Sequence, residues 1–192
     1  MKPSLKLALL TSLLAGCAAN PQVEKQAALT EAARQAGGGL IKTLGGELKA
    51  AMTAGGPATA IGVCKEKAPK IAAEAAQKTG FMIKRVSPKN RNPKGVPDAW
   101  ESEALASLEQ RLAAGEKPET LDMSAVVDTP EGKLFRYAKA LPTQAVCLNC
   151  HGDPDRLSPE VKARLATEYP NDKAVGYSAG MIRGVLSMKK AM

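Results

Sequence analysis

The sequence predicts an α+β fold, with long helices first and a small antiparallel sheet after them. Three features carry that expectation. From Val23 to about Ala54 the chain is rich in alanine, leucine, lysine and glutamate, all good helix formers. From Pro57 to Lys78 apolar residues recur at three-and-four spacing, which puts Ile61, Cys64, Ala68, Ile71 and Ala75 on one helical face. Four later runs have strand character: Phe81 to Val86, Leu121 to Val127, Lys133 to Ala138 and Ile182 to Lys189.

In the first helical stretch Gly37-Gly38-Gly39 marks an expected break, and Gly55-Gly56-Pro57 ends the segment. Pro57 suits the first turn of the second helix, where its missing N–H is harmless. The apolar face of that helix points Cys64 toward the core. Pro69 should kink it, because proline removes a backbone donor and crowds the carbonyl of Lys65.

A basic, proline-rich loop runs from Ser87 to Pro97. Asp98 then caps a helix reaching about Ala114, with Glu101 three residues on as an acidic capping box and Trp100 packing in the first turn. After the turn from Gly115 to Pro118, the next two strands pair as a hairpin around Asp128 to Gly132. Ser158-Pro159-Glu160 opens a short helix to about Glu168, and a loop containing Gly176 and Gly180 leads to the last strand. No internal repeat occurs, and no segment beyond the N-terminus is long and apolar enough to cross a membrane.

Between hairpin and short helix lies the chemistry: Cys147-Leu148-Asn149-Cys150-His151, followed by Gly152. This is the attachment pattern of a c-type haem. Each thiol adds across one vinyl group, the two intervening residues let both reach one porphyrin edge, and the adjacent imidazole falls beneath the iron. His151 is the only histidine in the chain. Two other chemistries use the same residues. A thioredoxin-like dithiol needs a strand before and a helix after, whereas Leu141 to Gln144 precedes the pair and Gly152-Asp153-Pro154 interrupts the chain after it. A Cys3His structural zinc site could enlist Cys64, although vicinal Cys150 and His151 would be cramped on one tetrahedral metal.

The composition agrees with a large apolar cofactor. Of 192 residues only Phe81, Phe135, Trp100 and three tyrosines are aromatic, and alanine and glycine dominate. A core of small side chains leaves room that a haem would fill, so the haem-loaded chain should be the more stable.

Residues 1–17 read as a bacterial lipoprotein signal. Lys2 and Lys6 form the basic region, Leu7 to Leu14 an apolar run, and Leu14-Ala15-Gly16-Cys17 the processing box, with Cys17 receiving lipid. The alternative is an ordinary secretory signal with Cys17 near the cut. Residues 18–26 would tether the haem domain, 27–192, to the periplasmic side of a membrane. Ala18 rather than aspartate is compatible with outer-membrane delivery. Export fits haem attachment, which bacteria perform outside the cytoplasm. The net charge of +8 drops to +6 once Lys2 and Lys6 leave with the signal. An exported chain with few aromatics and no recognition motif argues against nucleic acid. The positive charge instead suits haem propionates, an acidic redox partner or anionic headgroups.

Several stretches together resemble a known family. These are Val63 to Pro69, Arg85-Val86-Ser87 with Arg91-Asn92-Pro93, Pro97 to Glu101, the haem motif, and Gly176 with Ile182-Arg183-Gly184. They are similar to the single-c-haem, PAS-like domains, found alone or ahead of membrane-bound histidine kinases. The resemblance implies a PAS-like sheet with flanking helices, one covalent haem, and Cys64 as the second axial ligand. Met181 stands where an acidic residue is common, and no kinase region follows, so any signal would pass to another protein.

The residues themselves also nominate Cys64 as distal iron ligand: it is the spare thiol on an apolar face, and no second histidine exists. Thiolate ligation favours ferric iron and a low potential. The alternatives are a plain buried cysteine, a methionine (52, 82, 123, 181 or 188), or an open coordination site. Arg85, Arg91 and Lys89 are candidates for pairing with propionates; the other reading is a solvated basic loop. Two functions follow: a redox or small-ligand sensor, or a tethered electron-transfer cytochrome. With no acid–base pair or nucleophile near the motif, no enzyme is expected.

Overall fold

A computed structural model describes residues 20–192. The expected signal, Cys17 and the first tether residues Ala18 and Ala19 lie outside the described residues. Helix α1 (Pro21–Gly62) begins where Asn20 caps it, its side-chain oxygen accepting from the Gln22 amide at 2.9 Å. Residues 21–26, expected as tether, are therefore its first turns.

The triple glycine does not break this helix. Gly37 lies where α1 crosses the sheet, and a Cβ there would stand 3.0 Å from the Met188 methyl and 3.3 Å from Leu186. Its hydrogen is what lets the helix approach. The break falls at Gly55 and Gly56, the latter with φ of 72°, which glycine adopts without strain. There the chain folds back. Lys67 pairs with Glu47, and Ile71, Ala72 and Ala75 join Ala33, Ala36 and Leu40 in one apolar cluster.

Residues 57–62 complete α1 and run into a wide π-turn, Val63–Lys67, in which the Ala68 amide donates to the Val63 carbonyl. Helix α2 (Ala68–Thr79) continues from it. The turn answers the proline two residues on: Pro69 cannot donate, and an added residue relieves the crowding of its ring against the preceding turn. Sequence periodicity places Cys64 toward the core; the structure places it at the surface. Ile61 and Val63 are buried, while Cys64, inside the π-turn, is exposed.

Four antiparallel strands form the sheet: β1 (Met82–Val86), β2 (Asp122–Thr129), β3 (Gly132–Pro142) and β4 (Ile182–Ala191), in the order β1-β4-β3-β2. The β2–β3 hairpin closes more tightly than expected, with Thr129 opposite Gly132. Helix α1 and α2 cover one face over Phe135, Tyr137, Leu186 and Met188. Helix α3 (Ala99–Ala113) covers the other with Ala104, Leu105 and Leu108 against Val86, Ala138 and Val185. A third cluster holds Ile61 against Leu157, Val161 and Leu165, the last two from α5 (Pro159–Glu168), with Cys150 packed beside it. That cluster decides where the thiols sit. Among the described residues, no helix is long and apolar enough to cross a membrane.

The capping box forms as expected: the Glu101 amide donates to Asp98 and the Asp98 amide to Glu101, each at 2.9 Å. Its charge network does not show in the sequence. Glu101 is fully buried and accepts from Ser187 at 2.6 Å and from Lys84 at 2.9 Å. Asp98 accepts from Arg136 and Lys189, each at 2.7 Å, while Trp100 stacks over Arg136 with 4.5 Å to the ring centre. Burial alone would raise both carboxyls, but these donors hold them below the usual carboxylate range.

Two tests follow from this packing. Gly37→Val should cost ~1–3 kcal/mol by overpacking against Met188 and Leu186. Gly38→Ala, with open space around it, should instead stabilise by up to about 1 kcal/mol in the same urea titration. The carboxyls set an acid limb. Because their folded pKa values are depressed, their contribution is complete above about pH 4–5 and is lost as the pH falls below it. Thermal melts of Asp98→Asn should show lower stability at neutral pH and a shallower decline on acidification than wild type.

Candidate functional site

The Cys-x-x-Cys-His stretch occupies a 3-10 turn, Ala145–Cys147, followed by the single helical turn α4 (Leu148–His151). This winding gathers Cys147, Cys150 and His151 within five consecutive residues. Both thiols are half-buried and His151 is buried. Cys150 Sγ lies 4.0 Å from the Pro57 carbonyl, where the hairpin turns back. Burial pushes the Cys150 thiol pKa up.

A return loop clasps the motif from its other side. The amides of Gly176 and Tyr177 donate to the carbonyls of Gly152 at 2.7 Å and His151 at 3.0 Å. His151 Nδ1 lies 2.6 Å from the Ala174 carbonyl. A carbonyl only accepts, so Nδ1 carries the hydrogen and Nε2 keeps its lone pair. That nitrogen accepts from Arg183 Nη1 at 2.9 Å, with Arg91 Nη1 at 3.5 Å. Burial, followed by the Arg183 and Arg91 charges, pushes the imidazole pKa down to about 2. It is neutral, with its tautomer fixed.

The sequence singles out two arginines, and the structure gives them different places. Arg91 is only 8% exposed and its donors are committed. It donates to Asp172 at 2.8 Å and to the Cys150 carbonyl at 2.6 Å, and it lies 5.9 Å from the Tyr169 ring centre. Asp172 in turn accepts from the Ala174 amide at 2.8 Å. Arg91 is thus a strut between motif and return loop, with little left for another anion. Arg85 on β1 is open to solvent, and its one hydrogen bond runs to the Arg183 carbonyl at 3.3 Å. Desolvation, followed by the charge of Arg183, lowers its pKa to about 9. Lys89 is exposed, donating to the Val175 carbonyl at 3.3 Å and lying 5.1 Å from the Tyr177 ring centre.

Cys64 stands on the π-turn Val63–Lys67 and is exposed. An ion pair from Lys65 to Glu168 ties the turn to α5. The methionines are placed less favourably. Met188 and Met123 belong to the core clusters, and Met181 Sδ accepts from the Ser178 amide at 3.3 Å. Among the described residues no three His, Cys, Asp or Glu side chains converge as a metal site. Cys64, Cys147, Cys150 and His151 are therefore not gathered as a tetrahedral zinc set.

Sequence reasoning assigned no role to Arg183, Asp172 or Ala174. Arg183 reads as one residue of an alternating strand, and Ala174 acts through its backbone, which no side-chain motif reveals. The one available signal is Gly184, with φ of 124°. A Cβ there would stand 2.3 Å from the Val86 carbonyl, so glycine lets β1 and β4 close up beside Arg85 and Arg183.

Fold and site together define a small α+β domain built around one Cys-x-x-Cys-His turn with a single neutral, oriented imidazole. The chain belongs to the Tll0287-like family, whose model matches residues 17–190, and the family expected from the motifs is thereby borne out. Among solved structures it is similar to the cyanobacterial haem protein Tll0287, with a TM-score of 0.63 at 22% identity over 91% of this chain and 98% of the other. At that identity the likeness is one of fold. No curated protein matches the chain.

The strut can be tested directly. Arg91→Ala strips Asp172 of its buried partner and should cost roughly 3 kcal/mol in urea unfolding. Arg85→Ala, which loses one long hydrogen bond at an exposed position, should cost less than about 1 kcal/mol.

Proposed function

We propose that the chain carries one haem, joined covalently through Cys147 and Cys150, with His151 as proximal and Cys64 as distal iron ligand. It is exported and lipid-anchored through Cys17 on the periplasmic side of a bacterial membrane. There it senses redox poise or a small ligand and passes the signal to a separate protein; it is not an enzyme. The observation that carries this reading is the His151 ring. A metal-ligating histidine donates its other N–H to a carbonyl or carboxylate, which orients the ring and strengthens the ligating nitrogen. Nδ1 to the Ala174 carbonyl, at 2.6 Å, is that arrangement on the residue following the second thiol.

The donor set also suits the group. Arg85 and Arg183 have no carboxylate partner among the described residues, and the buried Arg183 Nε has no acceptor. Two carboxylates would satisfy them. Bound here, haem would supply a one-electron iron centre whose potential follows its axial ligands. The chain's own residues would hold it by the thiols of Cys147 and Cys150 and orient it through His151, with Cys64 as the candidate for a further soft donor. Sensing is favoured over plain electron transfer because Cys64 rests on a π-turn, a local irregularity frequent at functional sites. A ligand on such a turn can leave with little disturbance to the helices on either side.

Visible and electron-paramagnetic-resonance spectra of haem-loaded wild type and Cys64→Ala, oxidised and reduced, test the reading. Wild type should give a low-spin ferric signal of thiolate type that Cys64→Ala abolishes, with carbon monoxide binding on reduction. Ligation unchanged by reduction, with no carbon monoxide complex, would transfer the assignment to electron transfer. Pigment fully released by acidified organic solvent refutes covalent attachment. Separately, Cys17→Ser should move the protein from the membrane fraction to the soluble periplasmic fraction.

A further inference from the structure

Arg183 raises a question of stoichiometry that the haem reading must answer. Its Nη1 donates to the Nε2 lone pair of His151 at 2.9 Å. The other ring nitrogen is held by the Ala174 carbonyl, so Nε2 is also the atom that would ligate iron. One lone pair cannot serve both. Arg91, the second guanidinium near this nitrogen, has other acceptors in Asp172 and the Cys150 carbonyl. Arg183 has no such alternative. Its Nε is buried and unpartnered, and no carboxylate among the described residues lies within ion-pair reach. Arg85, which touches the Arg183 carbonyl at 3.3 Å, is likewise without a carboxylate partner.

We propose that Arg183 is a positioning residue with two exclusive partners: it yields the His151 lone pair to iron and takes a haem carboxylate instead, alongside Arg85. This rests on the haem reading above and deepens it. The chemistry favours arginine at this place. A planar fork can present one N–H edge to an imidazole nitrogen or two parallel N–H groups to a carboxylate, whereas a lysine ammonium offers only a point charge. The location favours coupling, because Arg183 lies at the start of β4, directly before Gly184, where β4 meets β1. A shift of that guanidinium is felt by the strand that spans the middle of the sheet. Arg91 has the separate task of holding the motif to the return loop.

Spectroelectrochemical titration of the haem-loaded protein tests the assignment. Loss of a cation paired with a haem carboxylate favours ferric iron. In Arg183→Gln the ferric-to-ferrous ratio at a fixed potential should rise roughly tenfold, or ~59 mV for a one-electron couple. Arg183→Lys should recover most of that shift, and the resonance Raman bending band of the haem carboxylates should move in both variants. A purely structural Arg183 would lower the melting temperature and leave potential and band in place; that result overturns the proposal. If Arg183→Gln does not accumulate as a haem protein, the carboxylate band of Arg183→Lys decides: moved supports the exchange, unmoved ends it. Absence of covalent haem in the wild type would defeat the haem reading itself, a distinguishable failure.

Discussion

One hydrogen bond, from Nδ1 of His151 to the carbonyl of Ala174, organises the site. It is short, at 2.6 Å, and fully enclosed. In water such a bond contributes little net stability; enclosed, its loss would strand both a donor and an acceptor. It also decides chemistry, since fixing the hydrogen on one ring nitrogen leaves the lone pair on the other. Ala174 must therefore be held in place, and most of the surrounding polar structure does this. Asp172 accepts the Ala174 amide, Arg91 holds Asp172 and the Cys150 carbonyl, and Gly176 and Tyr177 bond back to the motif backbone. The return loop is thereby fastened to the motif turn by both charge and backbone.

This explains what could be read from the sequence and what could not. The fold class was legible, because periodicity reports which face is buried and the strands and helices bury theirs as their patterns require. The motif turn was legible because three reactive side chains stand within five residues. Two local expectations failed for different reasons. The triple glycine signals flexibility in isolation, but a β-sheet pressed against Gly37 turns its missing side chain into a contact requirement. Cys64 belongs to an apolar face in an ideal helix, but the chain ahead of Pro69 winds as a π-turn, and the thiol is exposed. The return-loop contribution was invisible, since Ala174 acts through a carbonyl that any residue would supply. Arg183 was present in the motif comparison but had no role until the sheet brought it to His151.

The placement of Cys64 is informative because of how it departs from the pattern. A thiol buried on the apolar face would have been one more small core residue. It is instead exposed, on the π-turn Val63–Lys67. Ile61, just before that turn, packs in the cluster with α5, and Lys65 within it pairs with Glu168. The helices on either side, α1 and α2, share one apolar cluster on the sheet.

Charge provides the last constraint. Arg91 and Arg183 reach one neutral imidazole, Arg85 touches the Arg183 carbonyl, and among the described residues Asp172 is the single carboxylate that pairs with any of them. Desolvation lowers the pKa of both Arg85 and Arg183, with the charge of Arg183 adding to the effect on Arg85 and that of Arg91 to the effect on Arg183. The Asp98–Glu101 network on the opposite face of the sheet shows that this chain can neutralise buried cations with its own carboxylates when stability is the only requirement. At the motif it does not. Arg85 and Arg183 thus stand beside a neutral imidazole with no carboxylate partner among the described residues, and an anion entering the site would meet donors already in place.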